Sequence, residues 1–317
     1  MPPNCPNDSH SIANHAHKKC TNKLKNSTIK NPKSDNPRVR QVSIWRVDTE
    51  GVAETDDVLA AEEPLEIVLA FGQNNQRKRQ SISVTMRTPT GHDFELALGF
   101  LLTEGVISAA SDVLSVRYTA SKHDESAQTN VVQVDLHPSV KFDFERLNRH
   151  FYTSSSCGVC GKTSIEMVES TSCFFVPKGK PIVSKAVLFD LPDKLRAAQS
   201  IFDETGAIHA AALFDTEGSL RTLREDVGRH NALDKLIGWA MQNNRLPLHD
   251  TLLLVSGRTS FELVQKAMMA GVSIIAAVGA PSSLAVELAD DFGMTLIGFL
   301  SKKRFNVYSG FERVKME

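Results

Sequence analysis

The sequence lacks the features of a membrane or secreted protein. No apolar run approaches the length that spans a bilayer, and the N-terminus has no apolar core of a signal peptide. Five cysteines among 317 residues are too few for the disulfide framework of a secreted fold. A formal net charge of −1 gives no indication of a basic surface for nucleic acid. We therefore expect a soluble, cytoplasmic protein that binds neither membranes nor nucleic acid.

The first 40 residues are almost without apolar side chains. They consist mainly of Asn, Ser, Lys, His and Pro, a composition that cannot bury enough surface to offset the entropy of ordering. We predict a disordered tail over residues 1–40 and expect its deletion to leave the function intact. Irregular spacing argues against a metal site among the cysteines and histidines of this tail, which are Cys5, His10, His15, His17 and Cys20.

The remaining chain predicts two domains. Residues 41–150 combine strand-like alternation with one helix, which indicates a smaller N-terminal α+β domain. Residues 164–317 alternate strands with helices from Thr251 onward, which indicates parallel β-α-β units in a three-layer α/β domain. The predicted strands are 42–47, 65–69, 81–86, 113–118, 131–136, 209–214, 251–255, 273–277 and 295–299, and the predicted helices are 94–102, 192–200, 229–242, 259–270 and 282–292.

One helix of the second domain has recognisable start and stop signals. Thr259 and Glu262 have the spacing of a capping box, in which each side chain satisfies a free backbone N–H at the helix start. Gly271 stands where a glycine commonly ends a helix. We therefore predict a helix that begins at the capping box and ends before Gly271.

Between the two domains, a loop over residues 151–163 contains the run Cys157-Gly158-Val159-Cys160-Gly161-Lys162. Its glycines permit tight turns, and its small side chains leave both sulfurs unshielded. A thiol reacts as the thiolate, and a neighbouring cation such as Lys162 favours that form. We therefore interpret this segment, called the reactive loop below, as an exposed and reactive dithiol.

Three functions remain open for this cysteine pair. A structural zinc site needs four ligands, and because only Cys173 follows in the chain, the others would be histidines or come from a second subunit. A thioredoxin-like redox pair should open a helix directly after a strand, whereas this pair lies in a Ser/Gly run. The third function is a sulfur carrier, in which one cysteine holds a persulfide and the other assists.

Three stretches follow predicted strands of the second domain. They are Ser256-Gly257-Arg258-Thr259-Ser260, residues 278–283, and the run Phe299-Leu300-Ser301-Lys302-Lys303-Arg304, called the basic loop below. Ligands of open α/β sheets bind beyond the carboxyl ends of the strands, and free N–H groups at helix N-termini attract anions. The pattern favours a phosphate-bearing ligand, although ordinary turns beside a solvated basic loop would have the same sequence.

Two further stretches in the second domain leave their roles open. The run Glu225-Asp226-Val227-Gly228-Arg229-His230-Asn231 concentrates charge before a helix that Asp226 is suited to cap. The run His209-Ala210-Ala211 occupies the place of the His-x-Glu motif of zinc-dependent nucleoside deaminases. Because Ala211 replaces the glutamate and no cysteine pair follows, this half is compatible with that fold but not with that chemistry.

Together these motifs resemble those of the FdhD family of formate dehydrogenase accessory sulfurtransferases. The resemblance covers residues 41–314 and excludes the tail. The stretches that carry it are residues 86–89, 95–105, 157–161, 225–232, 256–260 and 299–304.

The resemblance implies a homodimer with a deaminase-like α/β domain. It implies a sulfurtransferase that takes persulfide sulfur from a cysteine desulfurase on the loop of Cys157 and Cys160, with the persulfide on Cys157. The sulfur then passes to Mo-bis(molybdopterin guanine dinucleotide) before this cofactor enters formate dehydrogenase. The cofactor would be a bound substrate, and the resemblance implies neither a permanently bound cofactor nor a metal. The family's cofactor-binding loop corresponds to Phe299, Leu300, Ser301, Lys302, Lys303 and Arg304.

A second function class remains compatible with the same residues. The protein could be a chaperone that binds the cofactor while its cysteine pair holds structural zinc. The zinc content of the purified protein distinguishes this alternative from a sulfur carrier.

Overall fold

A computed structural model describes residues 36–73, 76–89, 91–120, 130–140 and 174–317. The reactive loop, Cys173 and residues 1–35 of the predicted tail lie outside these ranges. None of the helices within them is long and apolar enough to cross a membrane.

The first half of the chain forms a separate β-hairpin and a four-stranded sheet with one helix. The hairpin pairs β1 (Val39–Val47) with β2 (Val52–Ala60). The sheet contains β3 (Glu63–Phe71), β4 (Lys78–Arg87), β5 (Val113–Tyr118) and β6 (Val131–Leu136) in the order β4-β3-β6-β5, with only β3 and β6 parallel. Helix α1 (Asp93–Thr103) packs on it, and the predicted strands and helix of this half are confirmed.

The second half begins with a short strand and two helices. They are β7 (Val183–Ser184), α2 (Lys185–Ala198) and α3 (Ser200–Thr205). The predicted start of α2 at residue 192 is wrong, because Ser184 caps the helix by accepting a hydrogen bond from the Val187 N–H at 3.3 Å. Pro192 therefore lies inside the helix and not at its start, where proline is more common.

A six-stranded sheet dominates the second half. It contains β8 (His209–Phe214), β9 (Leu220–Asp226), β10 (Leu252–Val255), β11 (Ile274–Ala277), β12 (Thr295–Gly298) and β13 (Asn306–Ser309) in the order β13-β12-β11-β10-β8-β9. Strands β10, β11 and β12 are parallel, which confirms the predicted β-α-β units. A last short strand, β14 (Val314–Lys315), pairs with β7.

Helices cover both faces of this sheet. One face contacts a hydrophobic cluster formed with α4 (Arg229–Gln242), α5 (Phe261–Met269) and α6 (Ser283–Asp291), and this cluster extends to α1 and the four-stranded sheet. The opposite face packs against α2 through Leu188, Leu191 and Leu195. The fold is therefore mixed α/β, with one core shared by the two halves, and the domain boundaries stay a prediction.

The predicted capping box at the start of α5 is wrong. The helix begins one residue after Ser260, and the Thr259 hydroxyl is buried without a hydrogen-bond partner among the described residues. The backbone of Thr259 instead forms a bridge with the neighbouring turn, since its N–H donates to Ala280 O and its carbonyl accepts from Ser282 N. The predicted stop is confirmed, because Gly271 follows the helix with a φ of +75°.

Helices α1 and α4 cross at unusually short range. A β-carbon at Gly99 of α1 would lie 1.8 Å from the Asp234 carbonyl oxygen of α4. One at Gly238 of α4 would lie 1.8 Å from the Glu95 carbonyl oxygen of α1. The two backbones touch because both positions are glycine, and this contact fixes the first half of the chain against the second.

Candidate functional site

Three turns lie side by side at one edge of the six-stranded sheet, where β10, β11 and β12 end. The Gly279 N–H donates to Gly257 O at 3.1 Å, and the Phe299 N–H donates to Gly279 O at 3.0 Å. These bonds join the two strand-end turns, residues 256–260 and 278–283, to the basic loop. The structure therefore brings together all three stretches for which the sequence predicts a phosphate-bearing ligand.

The two strand-end turns approach so closely that a side chain would not fit between them. A β-carbon at Gly279 would lie 2.9 Å from Gly257 O and 3.0 Å from the Arg258 α-carbon. Helices α5 and α6 start directly after these turns, with Ser260 and Ser282 at their N-caps. Two helix N-termini therefore point the positive ends of their dipoles toward this edge, an arrangement that favours the binding of an anion.

The basic loop is anchored at its start and exposed at its cations. Leu300 is buried against the core on the α2 side of the sheet. The Ser301 N–H donates to Arg304 O at 3.0 Å, while the Ser301 hydroxyl accepts from the Arg304 N–H at 3.2 Å, which closes a tight turn. Lys302 pairs with Asp193 of α2 at 2.6 Å, and both side chains are more than half exposed. The cations are therefore accessible to a ligand.

A cleft of about 730 Å³ adjoins this edge, and we call it the hairpin cleft because β2 forms one wall. Residues from α2, from α3 and its C-terminal flank, and from the turns after β9, β10 and β11 complete it. Its lining residues are Leu59, Ala60, Glu62, Pro192, Leu195, Arg196, Gln199, Phe202, Gly206, Ala207, Ile208, His209, Val227, Ser256 and Val278. The lining is mostly apolar, with a few polar groups, which is the usual character of a small-molecule site.

Two polar side chains of the hairpin cleft have distinctive surroundings. Gln199 is only 4% exposed, and its amide nitrogen has no hydrogen-bond partner among the described residues. Burial lowers the pKa of His209, and the charges of Arg229 and His230 lower it further against the opposing effect of Asp226. The His209 ring is therefore neutral at pH 7 and offers one donor and one acceptor nitrogen.

The charged run before α4 divides into a buried part and a half-buried part. Asp226 is fully buried and pairs with Lys235 at 2.5 Å. Its carboxylate also accepts from the Thr88 N–H at 3.2 Å and from the Asn231 amide at 3.1 Å. Asp226 therefore does not cap α4, whose N-cap is Gly228, but holds the end of β4 to the second half of the chain.

His230 belongs to the half-buried part of this run. Its Nε2 lies 2.9 Å from the Glu262 carboxylate and 3.3 Å from the Ser260 hydroxyl. These contacts fix the imidazole beside the first turn of α5, next to the strand-end turn 256–260. The side chain therefore borders the same sheet edge as the three turns.

Several residues of this site carried no signal in the sequence. Gln199 lies between two helices, and the sequence there does not distinguish a buried amide from an exposed one. Asp193 has the sequence character of an ordinary surface residue of α2. Leu59 and Ala60 come from an acidic strand that was not predicted. The ion pair of Lys302 with Asp193 could not be predicted from the sequence, because the two residues are far apart in the chain and meet only in the fold.

Comparison with protein families supports the resemblance seen in the motifs. A family model described as the FdhD/NarQ family matches residues 60–315. The sulfur carrier protein FdhD of Mycolicibacterium paratuberculosis is 51% identical over 259 residues, which cover 81% of this chain and 92% of that protein. The sulfur carrier protein FdhD of Sulfurisphaera tokodaii is 42% identical over 277 residues, which cover 87% of this chain and 99% of that protein.

A solved structure has the same fold. It is the crystal structure of a protein from Desulfotalea psychrophila that is described as a formate dehydrogenase accessory protein. The two align with a TM-score of 0.66 at 24% identity, covering 88% of this chain and 100% of that chain. At this identity the likeness supports the fold alone.

Proposed function

Because the chain belongs to the FdhD/NarQ family, we propose that it is a sulfur carrier that serves the maturation of formate dehydrogenase. In this proposal Cys157 of the reactive loop carries the sulfur, with Cys160 assisting. The recipient is Mo-bis(molybdopterin guanine dinucleotide), which the chain binds as a substrate. The observation that carries the proposal is the joined set of strand-end turns and basic loop, a site suited to the phosphates of such a cofactor.

The first transfer is a thiol–disulfide type exchange. The Cys157 thiolate attacks the terminal sulfur of a persulfide on a cysteine desulfurase, and a new sulfur–sulfur bond forms on Cys157. The sulfur–sulfur bond of the desulfurase breaks, and its cysteine leaves as the thiolate, so no external oxidant or reductant is required. In the proposed sequence the sulfur then passes to the bound cofactor, before the cofactor enters formate dehydrogenase.

Two measurements on the purified protein, its sulfur uptake and its zinc content, distinguish this proposal from the alternative of a cofactor-binding chaperone. The purified chain, incubated with a cysteine desulfurase and cysteine, is expected to gain the mass of one added sulfur atom in intact mass spectrometry. The gain should disappear on reduction, because a persulfide is reducible. Stoichiometric zinc together with no sulfur uptake would favour the cofactor-binding chaperone with a structural cysteine pair.

Removal of the three cations of the basic loop is expected to weaken binding of guanosine diphosphate at least about tenfold, since contacts of cations with phosphate are charge-assisted. The variant combines Lys302→Ala, Lys303→Ala and Arg304→Ala, and affinity is measured by calorimetric titration. The wild-type affinity should also fall as the salt concentration rises. Sulfur uptake should stay unchanged, because it depends on the reactive loop.

A charge-matched control removes three exposed lysines elsewhere, Lys178, Lys180 and Lys185. The control should bind guanosine diphosphate as wild type does. Equal affinity of the basic-loop variant, the control and the wild type would place the phosphate site elsewhere, with the surroundings of Arg229 and His230 as the next candidate.

A further inference from the structure

The hairpin cleft contains a polar group that the protein leaves unsatisfied. Gln199 lies at the junction of α2 and α3, is 4% exposed and lines the cleft, and its amide nitrogen has no partner among the described residues. A buried amide without a hydrogen bond costs about 1–3 kcal/mol. Such a group is stabilised when a ligand supplies the missing acceptor.

The cleft is continuous with the strand-end turns on one side. Ser256 and Val278, the first residues of the two turns, belong to the lining of the cleft. A β-carbon at Gly257 would lie 3.4 Å from His209 Nδ1, so the imidazole of His209, which lines the cleft, lies next to the first turn. The cleft is therefore within reach of a ligand whose anionic part lies at the turns.

The cleft also borders the basic loop. Pro192 lines the cleft, and the next residue, Asp193, forms the ion pair with Lys302. Strands of a sheet lie about 4.8 Å apart, so the ends of β10 and β12 are about 10 Å from each other. This spacing suits a ligand whose phosphates lie along the turns and whose other end enters the cleft.

The side chains that line the cleft suit a flat heterocycle at the end of the ligand that enters the cleft. Leu59, Leu195 and Ile208 contribute apolar surface, and Phe202 adds an aromatic ring. The polar lining includes the Gln199 amide, which both donates and accepts, and the neutral imidazole of His209. Glu62 and Arg196 add charge at the wall, and the Arg196 guanidinium lies 4.2 Å from the centroid of the Phe202 ring. A nucleobase matches this combination, because it has apolar faces and an edge of alternating donors and acceptors.

We propose that the hairpin cleft holds the nucleobase of the cofactor's nucleotide end and that Gln199 reads the edge of that base. This inference rests on the proposed function, in which the phosphates lie at the turns and the basic loop. It assigns base recognition to a wall formed by β2, α2 and α3, away from the cations that hold the phosphates. Gln199 is thus the residue that determines specificity for the base.

Gln199→Leu tests the role of the amide, since leucine keeps a similar size and removes the hydrogen-bonding groups. Affinities for guanosine diphosphate and for inorganic pyrophosphate, which lacks the base, are measured by calorimetric titration. We expect about a tenfold weaker affinity for the nucleotide and an unchanged affinity for pyrophosphate. Gln242→Leu is the matched control, because Gln242 is the exposed last residue of α4, and it should change neither affinity.

A second variant keeps the test valid if Gln199→Leu does not fold. Ala207 is exposed and lines the cleft, so Ala207→Trp fills the cleft without altering Gln199. It should weaken binding of the nucleotide and leave binding of pyrophosphate unchanged.

The outcomes separate this inference from the proposed function. If both cleft variants bind the nucleotide as tightly as Gln242→Leu does, the inference is overturned, and the phosphate site at the basic loop is unaffected. If the cleft variants lose affinity for nucleotide and pyrophosphate to the same extent, the inference is also overturned, because the substitutions would then affect phosphate binding and not base binding. A wild-type chain that binds pyrophosphate and guanosine diphosphate equally well would show that the base adds nothing. If the wild type binds neither ligand, the phosphate site of the proposed function is contradicted, and the inference is contradicted with it.

Discussion

Cys157→Ala is expected to take up no sulfur from a cysteine desulfurase, while its fold remains intact. Small residues, mostly serine and glycine, surround Cys157 in the sequence together with Val159, so we predict an unshielded sulfur, and Lys162 is a cation five residues further along the chain. Alanine removes the only atom that can accept the transferred sulfur at this position. Intact mass spectrometry after incubation with desulfurase and cysteine measures the uptake, and thermal unfolding measures the fold.

Cys173→Ala is the matched control for this prediction. Cys173 precedes Phe174-Phe175-Val176, where a cysteine is expected to pack as a small apolar side chain. The control should take up as much sulfur as the wild type. An unchanged sulfur load on Cys157→Ala would remove Cys157 from its proposed role.

Gly238→Ala is expected to destabilise the protein by more than about 3 kcal/mol, or to prevent its accumulation in folded form. The added β-carbon would lie 1.8 Å from the Glu95 carbonyl oxygen, 2.6 Å from the carbonyl carbon and 2.8 Å from the α-carbon. All three are backbone atoms of α1, and a backbone cannot rotate away as a side chain can. The two helices must therefore separate, which opens the core shared by the two halves.

Denaturant titration of Gly238→Ala beside Gln242→Ala measures this effect. Gln242 lies one turn further along α4 and is exposed, so its replacement should change the free energy of unfolding by less than about 0.5 kcal/mol. A Gly238→Ala protein within about 1 kcal/mol of wild type would show that α1 and α4 do not cross as closely as described.

The strands and helices with strong periodicity could be predicted from sequence, and those without it could not. Helix α4 has the predicted bounds, and β10, β11 and β12 are parallel as predicted. Strands β2, β9 and β13 were missed. They are edge strands of their sheets, where one side of the strand faces solvent and polar residues interrupt the apolar pattern.

The candidate site could be predicted in part for a similar reason. The rule that ligands bind beyond the carboxyl ends of parallel strands located the strand-end turns and the basic loop. The hairpin cleft could not be found in this way, because Leu59, Gln199 and His209 meet there only through the packing of distant segments. The role of Asp226 could not be predicted either, since its bond to Thr88 joins residues 138 positions apart in the chain.

The stretches that carry the resemblance therefore occupy two kinds of position in the fold. The stretch 95–105 contains Gly99, and the stretch 86–89 contains Thr88, and both serve to join the two halves. The stretches 256–260 and 299–304 lie at the sheet edge, where Arg258 and residues 301–304 are exposed.

The most direct test of the proposed function is the activity of formate dehydrogenase in cells that lack their own member of this family. Wild-type chain is expected to restore formate oxidation, whereas Cys157→Ala, present at equal level, is expected to restore none. Full restoration by Cys157→Ala, or no restoration by a wild-type chain that accumulates and takes up sulfur, would contradict the account.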